Sequence, residues 1–255
     1  MPATNRLYSL LTSILLFSLS TSLSADIADS LIIDDDIEID IVTIGKPAST
    51  GVIWLACNQG NATVESDTAR KLSSAGYQFY FPDMLSAHFL APTASNIDRV
   101  PTTEIVRLIQ YLISQSEAQR FYIIATARAA VPVLKALADP AIKNTEELKA
   151  VLLITPRINK KSPEPGSEPE YIDAAGQSIH PVRVLEGERT PNRWGLPHLK
   201  SVLSRSGSPV QTDIIPGVRG FFYLRSDKTA QELSMTDQLD ELIHFNLQKL
   251  GELQP

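Results

Sequence analysis

The segment from Phe121 to Leu137 has the layout of a turn that presents a reactive side chain. Residues 121–124 form an apolar run typical of a buried strand, and a helical pattern occupies residues 130–137. Between them lies Ala125-Thr126-Ala127-Arg128-Ala129, with a small residue two positions before and two after the apex. This is the spacing of the G-x-S-x-G turn, which exposes a nucleophilic serine. The apex here is Ala127, whose methyl group cannot attack a substrate, so the pattern predicts a catalytic scaffold without its nucleophile.

Strand and helix patterns alternate along the chain on both sides of this turn. The predicted strands are 37–41, 52–57, 77–81, 121–124, 150–155, 181–185 and 210–216. The predicted helices are 67–75, 102–116 with Thr102 as N-cap, 130–137, 196–206 and 231–250. This alternation predicts an α/β fold, a three-layer sandwich whose mostly parallel central sheet carries helices on both faces. Isoleucines alternate with acidic residues over 37–41, which favours an antiparallel, half-buried first strand.

Composition bounds the class of protein. The chain has 255 residues, 43% hydrophobic and 20% charged, which suits one large domain, predicted over residues 37–250. Residues 156–178 are rich in Pro, Gly, Glu and Lys and lack periodicity, so they are predicted to form a loop or lid. The formal net charge of -6 argues against general nucleic-acid binding.

The N-terminus has the features of an export signal. Arg6 precedes an apolar stretch over residues 7–19, and small residues follow up to Ala25. The pattern predicts a signal peptide at 1–25 and a periplasmic location. The apolar stretch is shorter than the roughly 20 residues of a membrane span, so no span is expected after cleavage. A single cysteine, Cys57, excludes an internal disulfide, which fits the bacterial periplasm.

Residues 26–36 are acidic and contain no basic residue. The run Asp34-Asp35-Asp36 lacks the alternating spacing with glycine that wraps calcium, so a solvated lead-in to the first strand is predicted. The four histidines show no metal-ligand spacing and are predicted to lie on the surface or on helix faces: His88, His180, His198 and His244. Neither a metal nor a cofactor is expected.

Three segments, taken in order, resemble the α/β-hydrolase superfamily over residues 37–250. They are Ala75 to Asp83, the turn at 125–129, and Pro181 to Gly187. The chain looks most like poorly characterised bacterial periplasmic members of that superfamily. The resemblance implies an α/β-hydrolase fold with a nucleophile, an acid and a histidine on successive strand ends.

This sequence departs from the family pattern at each of those places. Ala127 stands at the nucleophile position, the acid position falls near Thr190 with Glu188 as an alternative, and Arg219-Gly220 stands at the histidine position. Asn58-Gln59-Gly60 replaces the histidine-glycine motif of the oxyanion loop. Together the departures predict that the catalytic triad is absent.

Arginines follow four of the predicted strands. Because ligands of open α/β sheets bind beyond the carboxyl ends of the strands, these are candidate ligand-binding residues: Arg128, Arg157, Arg189 and Arg219. Guanidinium groups pair well with carboxylate or phosphate, which predicts an anionic ligand. The alternative is that these arginines point into solvent or pair with Asp83, Glu186 and Glu188.

The sequence thus favours a non-catalytic periplasmic binding or accessory protein, whose cleft binds an anionic small molecule or an acidic segment of a protein partner. The alternative is a weak esterase or acyl hydrolase with a displaced serine or thiol nucleophile, for example Ser86, Ser178 or Cys57. A third possibility is an interaction role for the acidic segment 26–36.

Overall fold

A computed structural model describes residues 26–33, 37–56, 63–164 and 166–253. The predicted signal peptide, Asp34 to Asp36, Cys57 and the segment Asn58 to Gly60 lie outside these ranges. What the sequence predicts for them stays a prediction.

The described residues contain one central sheet of eight strands. The strands are β1 (Ile27–Ile33), β2 (Ile37–Ile44), β3 (Thr50–Leu55), β4 (Tyr77–Pro82), β5 (Arg120–Thr126), β6 (Leu148–Ile154), β7 (Val182–Gly187) and β8 (Val210–Ile215). Their order across the sheet is β1-β2-β4-β3-β5-β6-β7-β8. β2 runs antiparallel to both β1 and β4, and all other neighbouring pairs are parallel. The mostly parallel α/β sheet predicted from the alternation is confirmed.

Helices cover both faces of this sheet. They are α1 (Thr63–Ser73), α2 (Thr102–Gln115), α3 (Ala130–Leu137), α4 (Pro140–Lys143), α5 (Leu196–Leu203), α6 (Ala230–Asp237) and α7 (Leu239–Gly251). One apolar core lies between the sheet and α2, α3 and α5, and a second lies between the sheet and α1 and α7. Alternate residues of β5 serve the two cores, since Phe121 and Ile123 belong to the first and Tyr122 and Ile124 to the second.

The structure differs from the sequence prediction in several places, including the following four. The predicted lead-in contains a strand, β1, because Ile27–Ile33 pairs along the whole edge of β2. Helix α1 begins at Thr63, before the predicted start at residue 67. The N-cap position of helix α2 is Pro101, which makes no side-chain capping bond, and Thr102 is already helical. The single predicted closing helix is broken at Gln238 into α6 and α7.

No helix within the described ranges is both long enough and apolar enough to cross a bilayer.

Candidate functional site

The predicted tight turn lies at the carboxyl end of β5. Ala127 follows Thr126 directly, has a φ of 56° and is completely buried. Residues 127–129 form one 3-10 turn, which continues into α3. A left-handed conformation costs an alanine about 1–2 kcal/mol, because its Cβ crowds the following carbonyl oxygen. The backbone at the apex is therefore held in a strained left-handed conformation, and the side chain there is a methyl group.

Two further strained residues follow the carboxyl ends of other strands. Thr155, one residue beyond the end of β6, has a φ of 44°. The register that pairs Thr126 with Ile154 sets Thr155 beside Ala127. Phe221, beyond β8, has a φ of 58°. Backbone strain of this kind collects at functional sites, where the surrounding structure holds it in place.

Arg128 is used by the protein itself. Its Nε atom donates to Asp98 Oδ2 at 2.8 Å and its Nη2 atom donates to the same oxygen at 2.6 Å. Its Nη1 atom donates to the backbone oxygens of Arg157 and Asn159, at 3.1 and 2.8 Å. The guanidinium thus ties the turn to two neighbouring loops. Its carboxylate partner is Asp98 and not one of the three that the sequence suggested.

Arg219 is also committed to carboxylates. Its Nε and Nη2 atoms donate to the two oxygens of the buried Glu232, at 2.8 and 2.6 Å, and its Nη1 atom donates to Asp227 at 2.9 Å. Glu232 also closes a capping box with Thr229 at the start of α6. The residue at the expected histidine position therefore fastens the loop after β8 to α6.

This pairing predicts an acid-dependent contribution to stability. The Arg219 guanidinium holds the pKa of the Glu232 carboxyl well below its ordinary value of 4.5. Because this pKa is lower in the folded than in the unfolded chain, the pair stabilises the fold above about pH 4.5. This stabilisation is lost as the pH falls further. We expect Glu232→Gln to lower the urea midpoint at neutral pH, and the deficit relative to the natural protein to shrink in acid. An exposed glutamate, Glu241→Gln, is the control; an equal deficit at both pH values would contradict this account.

Arg157 is differently placed. Its guanidinium lies over the Phe221 ring, 4.7 Å from the centroid, and its Nη2 atom approaches the position that a Cβ on Gly220 would take. Its side chain is exposed, and it makes no hydrogen bond or ion pair with the residues that the structure describes. The Arg189 side chain is also exposed. Of the four predicted arginines, two are thus used internally, and the structure does not bring all four guanidinium groups together.

Glu186 is a functional candidate that sequence reasoning did not single out as an acid. It lies near the end of β7, is 1% exposed, and accepts hydrogen bonds from Gly187 N at 3.0 Å and Thr190 Oγ1 at 3.2 Å. Burial raises the pKa of its carboxyl, and the Arg157 charge opposes part of that rise. Thr190, the predicted acid position, serves Glu186 as a donor, while Glu188 accepts from Gly217 N at 2.7 Å. The signal in the sequence was a lone glutamate in an otherwise largely apolar strand.

Arg157 and Glu186 both line a cleft of about 610 Å³. One wall is the loop over residues 156–171, and the other is the segment over residues 191–199. Its remaining polar or aromatic contributors include Asn159, Glu164, Glu168, Tyr171, Asn192, Trp194 and His198. The loop predicted over 156–178 therefore forms a wall of this cleft.

The loop is closed at its base. Ile172 N donates to Ile158 O at 3.0 Å, and Lys160 N donates to Glu170 O at 2.8 Å. Ile158 is 1% exposed and packs in the first core. Arg157 N donates to Ala127 O at 3.0 Å, so the base of the loop is fixed to the tight turn.

Each histidine is engaged away from the apex. His88 Nε2 lies 2.6 Å from Glu104 Oε2, and the buried His180 lies 3.2 Å from Ile142 O. His198 stacks on Tyr171 at the cleft, while His244 packs edge-on against Tyr77. His180 is thus buried, against the prediction of a surface or helix-face position. Within the described ranges, no three His, Cys, Asp or Glu side chains gather as a metal site.

Two of the candidate displaced nucleophiles, Ser86 and Ser178, lie within the described residues. Ser86 Oγ donates to Asp83 Oδ2 at 2.7 Å, and Ser178 is buried with its Oγ accepting from His180 N at 3.2 Å. Both hydroxyls therefore serve local turns.

A buried polar chain lies under the turn. The Tyr223 hydroxyl lies 2.9 Å from Thr126 Oγ1, which also accepts from Trp54 Nε1 at 3.4 Å. Glu65, in the first turn of α1, is 1% exposed. Its oxygens make no hydrogen bond of ordinary geometry to the residues described, although its own backbone and the Tyr223 hydroxyl lower the pKa of its carboxyl. Burial dominates and raises the pKa of the Glu65 carboxyl to about 7.

Comparison with known proteins gives a match in structure but not in sequence. No protein-family model and no curated protein matches the chain. A dienelactone hydrolase-like protein of Klebsiella pneumoniae is 15% identical, with a TM-score of 0.61 over 84% of this chain and 96% of that one. A thermophilic esterase of Thermogutta terrifontis, solved with propionate, is 12% identical, with a TM-score of 0.62 over 92% and 97%.

A CIB-like hydrolase of Thermoplasma acidophilum is 10% identical, with a TM-score of 0.57 over 86% of this chain and 98% of that one. Identities this low carry information on the fold alone. The order of the strands, the helices on both faces and these structural neighbours agree with the resemblance found in the sequence. The chain has an α/β-hydrolase-like fold.

Proposed function

We propose that this protein is a non-catalytic member of the hydrolase fold, a binding or accessory protein whose cleft over Arg157 and Glu186 holds a small anionic ligand. The observation that carries the proposal is Ala127, buried at the apex of the strained turn. A methyl group there leaves no atom to form a covalent intermediate.

The cleft supports the binding part of the proposal. Its volume is within the roughly 300–1,000 Å³ range of small-molecule sites. Arg157 supplies donors that no described residue uses, and a guanidinium is suited to carboxylate or phosphate. Arg128 and Arg219 do not support it, because both are paired with carboxylates. Their replacement would test folding and not ligand capture.

We expect no ester hydrolysis from the purified protein. With p-nitrophenyl acetate, the release of nitrophenol should equal the buffer rate, and a fluorophosphonate probe should leave no adduct. Ala127→Ser should also remain inactive, because the histidine position is held by Arg219 in its pair with Glu232. Turnover by the natural protein that a serine or thiol reagent abolishes would overturn the proposal.

A weak esterase or acyl hydrolase is the second candidate, favoured by the esterase and hydrolase neighbours of the fold. It needs a displaced nucleophile, for example Ser86, Ser178 or Cys57. Mass-spectrometric mapping of any probe adduct would identify that nucleophile, and a protein that shows neither ester turnover nor a probe adduct would remove this candidate.

We also propose that the protein is exported to the periplasm after removal of residues 1–25, on the basis of the apolar stretch near Arg6. N-terminal sequencing of the protein recovered from a periplasmic extract should begin near Asp26. Recovery of the full-length chain from the cytoplasm would contradict export.

A further inference from the structure

We propose that the ligand of the cleft is bipolar: an anionic group at one end binds Arg157, and an ammonium or hydroxyl donor at the other end binds Glu186. This inference rests on the proposed function and deepens it, since it names the chemical class of the ligand.

The Arg157 guanidinium is held in place and leaves its N–H donors open to a ligand. Phe221 supports the guanidinium from one side at 4.7 Å, and Gly220 offers no side chain that could cover it. Stacking on a ring fixes the plane of a guanidinium and leaves its N–H groups free to donate at the edges. The Arg157 side chain uses none of these donors on the described residues, so they remain open to an acceptor from a ligand.

The acceptor of this pair is Glu186. An ionised carboxylate offers about four acceptor positions. Gly187 N and Thr190 Oγ1 both donate to Oε1, and the Asn192 side chain lowers the pKa of the carboxyl. A position is left over, and Glu186 contributes to the wall of the cleft. A donor from the ligand would complete the set around a carboxyl that burial otherwise leaves poorly solvated.

The two charged groups influence one another without touching. The Arg157 charge lowers the pKa of the Glu186 carboxyl, and no ion pair joins the two side chains among the residues that the structure describes. A ligand that spans them would supply an acceptor to Arg157 at one end and a donor to Glu186 at the other. A purely anionic ligand would satisfy Arg157 and place its charge near Glu186, which is unfavourable in a partly buried site.

The charged residues at the mouth of the cleft also support a bipolar ligand. Glu164 and Glu168 line it, and Glu168 lies 3.3 Å from His198 while remaining 77% exposed. Arg157 is the one arginine among the described lining residues, and the Arg193 guanidinium lies over the ring of the lining residue Trp194, 4.3 Å from its centroid. Acidic and basic groups are thus mixed around the cleft, which suits a molecule that carries both an anionic group and a cationic or neutral donor.

Trp194 supplies a direct readout. It lines the cleft and is 75% exposed, whereas the only other tryptophan, Trp54, is 1% exposed in the core. The probes are glycine, β-alanine, 4-aminobutyrate and 6-aminohexanoate, which separate the two charges by increasing lengths. Butyrate and butylamine each carry one end only. We expect saturable quenching of Trp194, with one length preferred over butyrate and over butylamine by about tenfold, the size of one charge-assisted hydrogen bond.

Variants separate the two ends. Arg157→Met should abolish binding of both the amino acids and butyrate. Glu186→Gln should reduce the preferred amino acid to the affinity of butyrate and leave butyrate itself unchanged or improved. Arg120→Met makes the same substitution at the amino end of β5, opposite to the carboxyl ends of the strands, and should change nothing. Trp194→Phe should remove the signal while calorimetry still detects binding.

The outcomes distinguish this inference from the function beneath it. If butyrate binds through Arg157 as tightly as every amino acid, the bipolar ligand is wrong while a binding role for the cleft stands. If Arg157→Met leaves all quenching intact, or if no probe binds at millimolar concentration, both are overturned.

Discussion

Glu65→Gln is expected to stabilise the protein by about 3 kcal/mol near pH 8 and to change its stability little near pH 4.5. Burial raises the pKa of this carboxyl from 4.5 to about 7. Below about pH 4.5 the group is neutral in both the folded and the unfolded chain, so it costs nothing. Between the two pKa values the unfolded chain loses the proton first, and stability falls as the pH rises. Glutamine keeps the shape of the neutral acid and cannot ionise.

Urea unfolding at the two pH values measures this difference. The gain should grow with pH up to about pH 7 and then level off, since each pKa unit corresponds to 1.36 kcal/mol. Glu241→Gln on the exposed side of α7 is the matched control and should show no such trend. A Glu65→Gln gain that is the same at both pH values would show that the pKa of Glu65 does not differ between the folded and the unfolded protein.

Ala127→Val is expected to destabilise the protein by about 3 kcal/mol. Two costs combine. A branched side chain at a φ of 56° crowds the following carbonyl, and the extra methyl groups enter a position that is completely buried in the first core. The backbone here cannot relax readily, because Ala127 O accepts from Arg157 N at 3.0 Å.

Ala130→Val separates the two costs. Ala130 is equally buried but has an ordinary helical φ of -61°, so valine there adds volume without left-handed strain. Chemical denaturation of both variants should place Ala127→Val below Ala130→Val by about 1–2 kcal/mol. Equal losses would mean that valine adds no conformational strain at position 127 beyond that of alanine.

The turn was predictable from sequence because its cause is local. A tight strand-to-helix bend needs small residues around its apex, and Ala125, Ala127 and Ala129 satisfy that need within five positions. The broad fold was predictable for a similar reason, since apolar periodicity acts over short windows. The break at Gln238 was not, because no Gly or Pro marks a helix end between Ala230 and Leu250.

The partners of the arginines depend on contacts across the chain. Arg128 meets Asp98 thirty positions away, and Arg219 meets Glu232 on a helix that the sequence did not separate from its successor. No spacing rule relates such residues. The role of Glu186 was only partly visible, since its strand position was plain but its burial follows from Thr190 and the loop beside it.

The closed base of the cleft loop makes that wall an exchangeable module. The strand-like contact between Asn159 and Tyr171 and the bond from Ile172 to Ile158 bring the two ends of the excursion together before the chain rejoins the core. Evolution or an engineer can therefore graft a different insert between these ends. Such grafts would change the ligand specificity of the cleft, while the register of the strands beneath it stays the same.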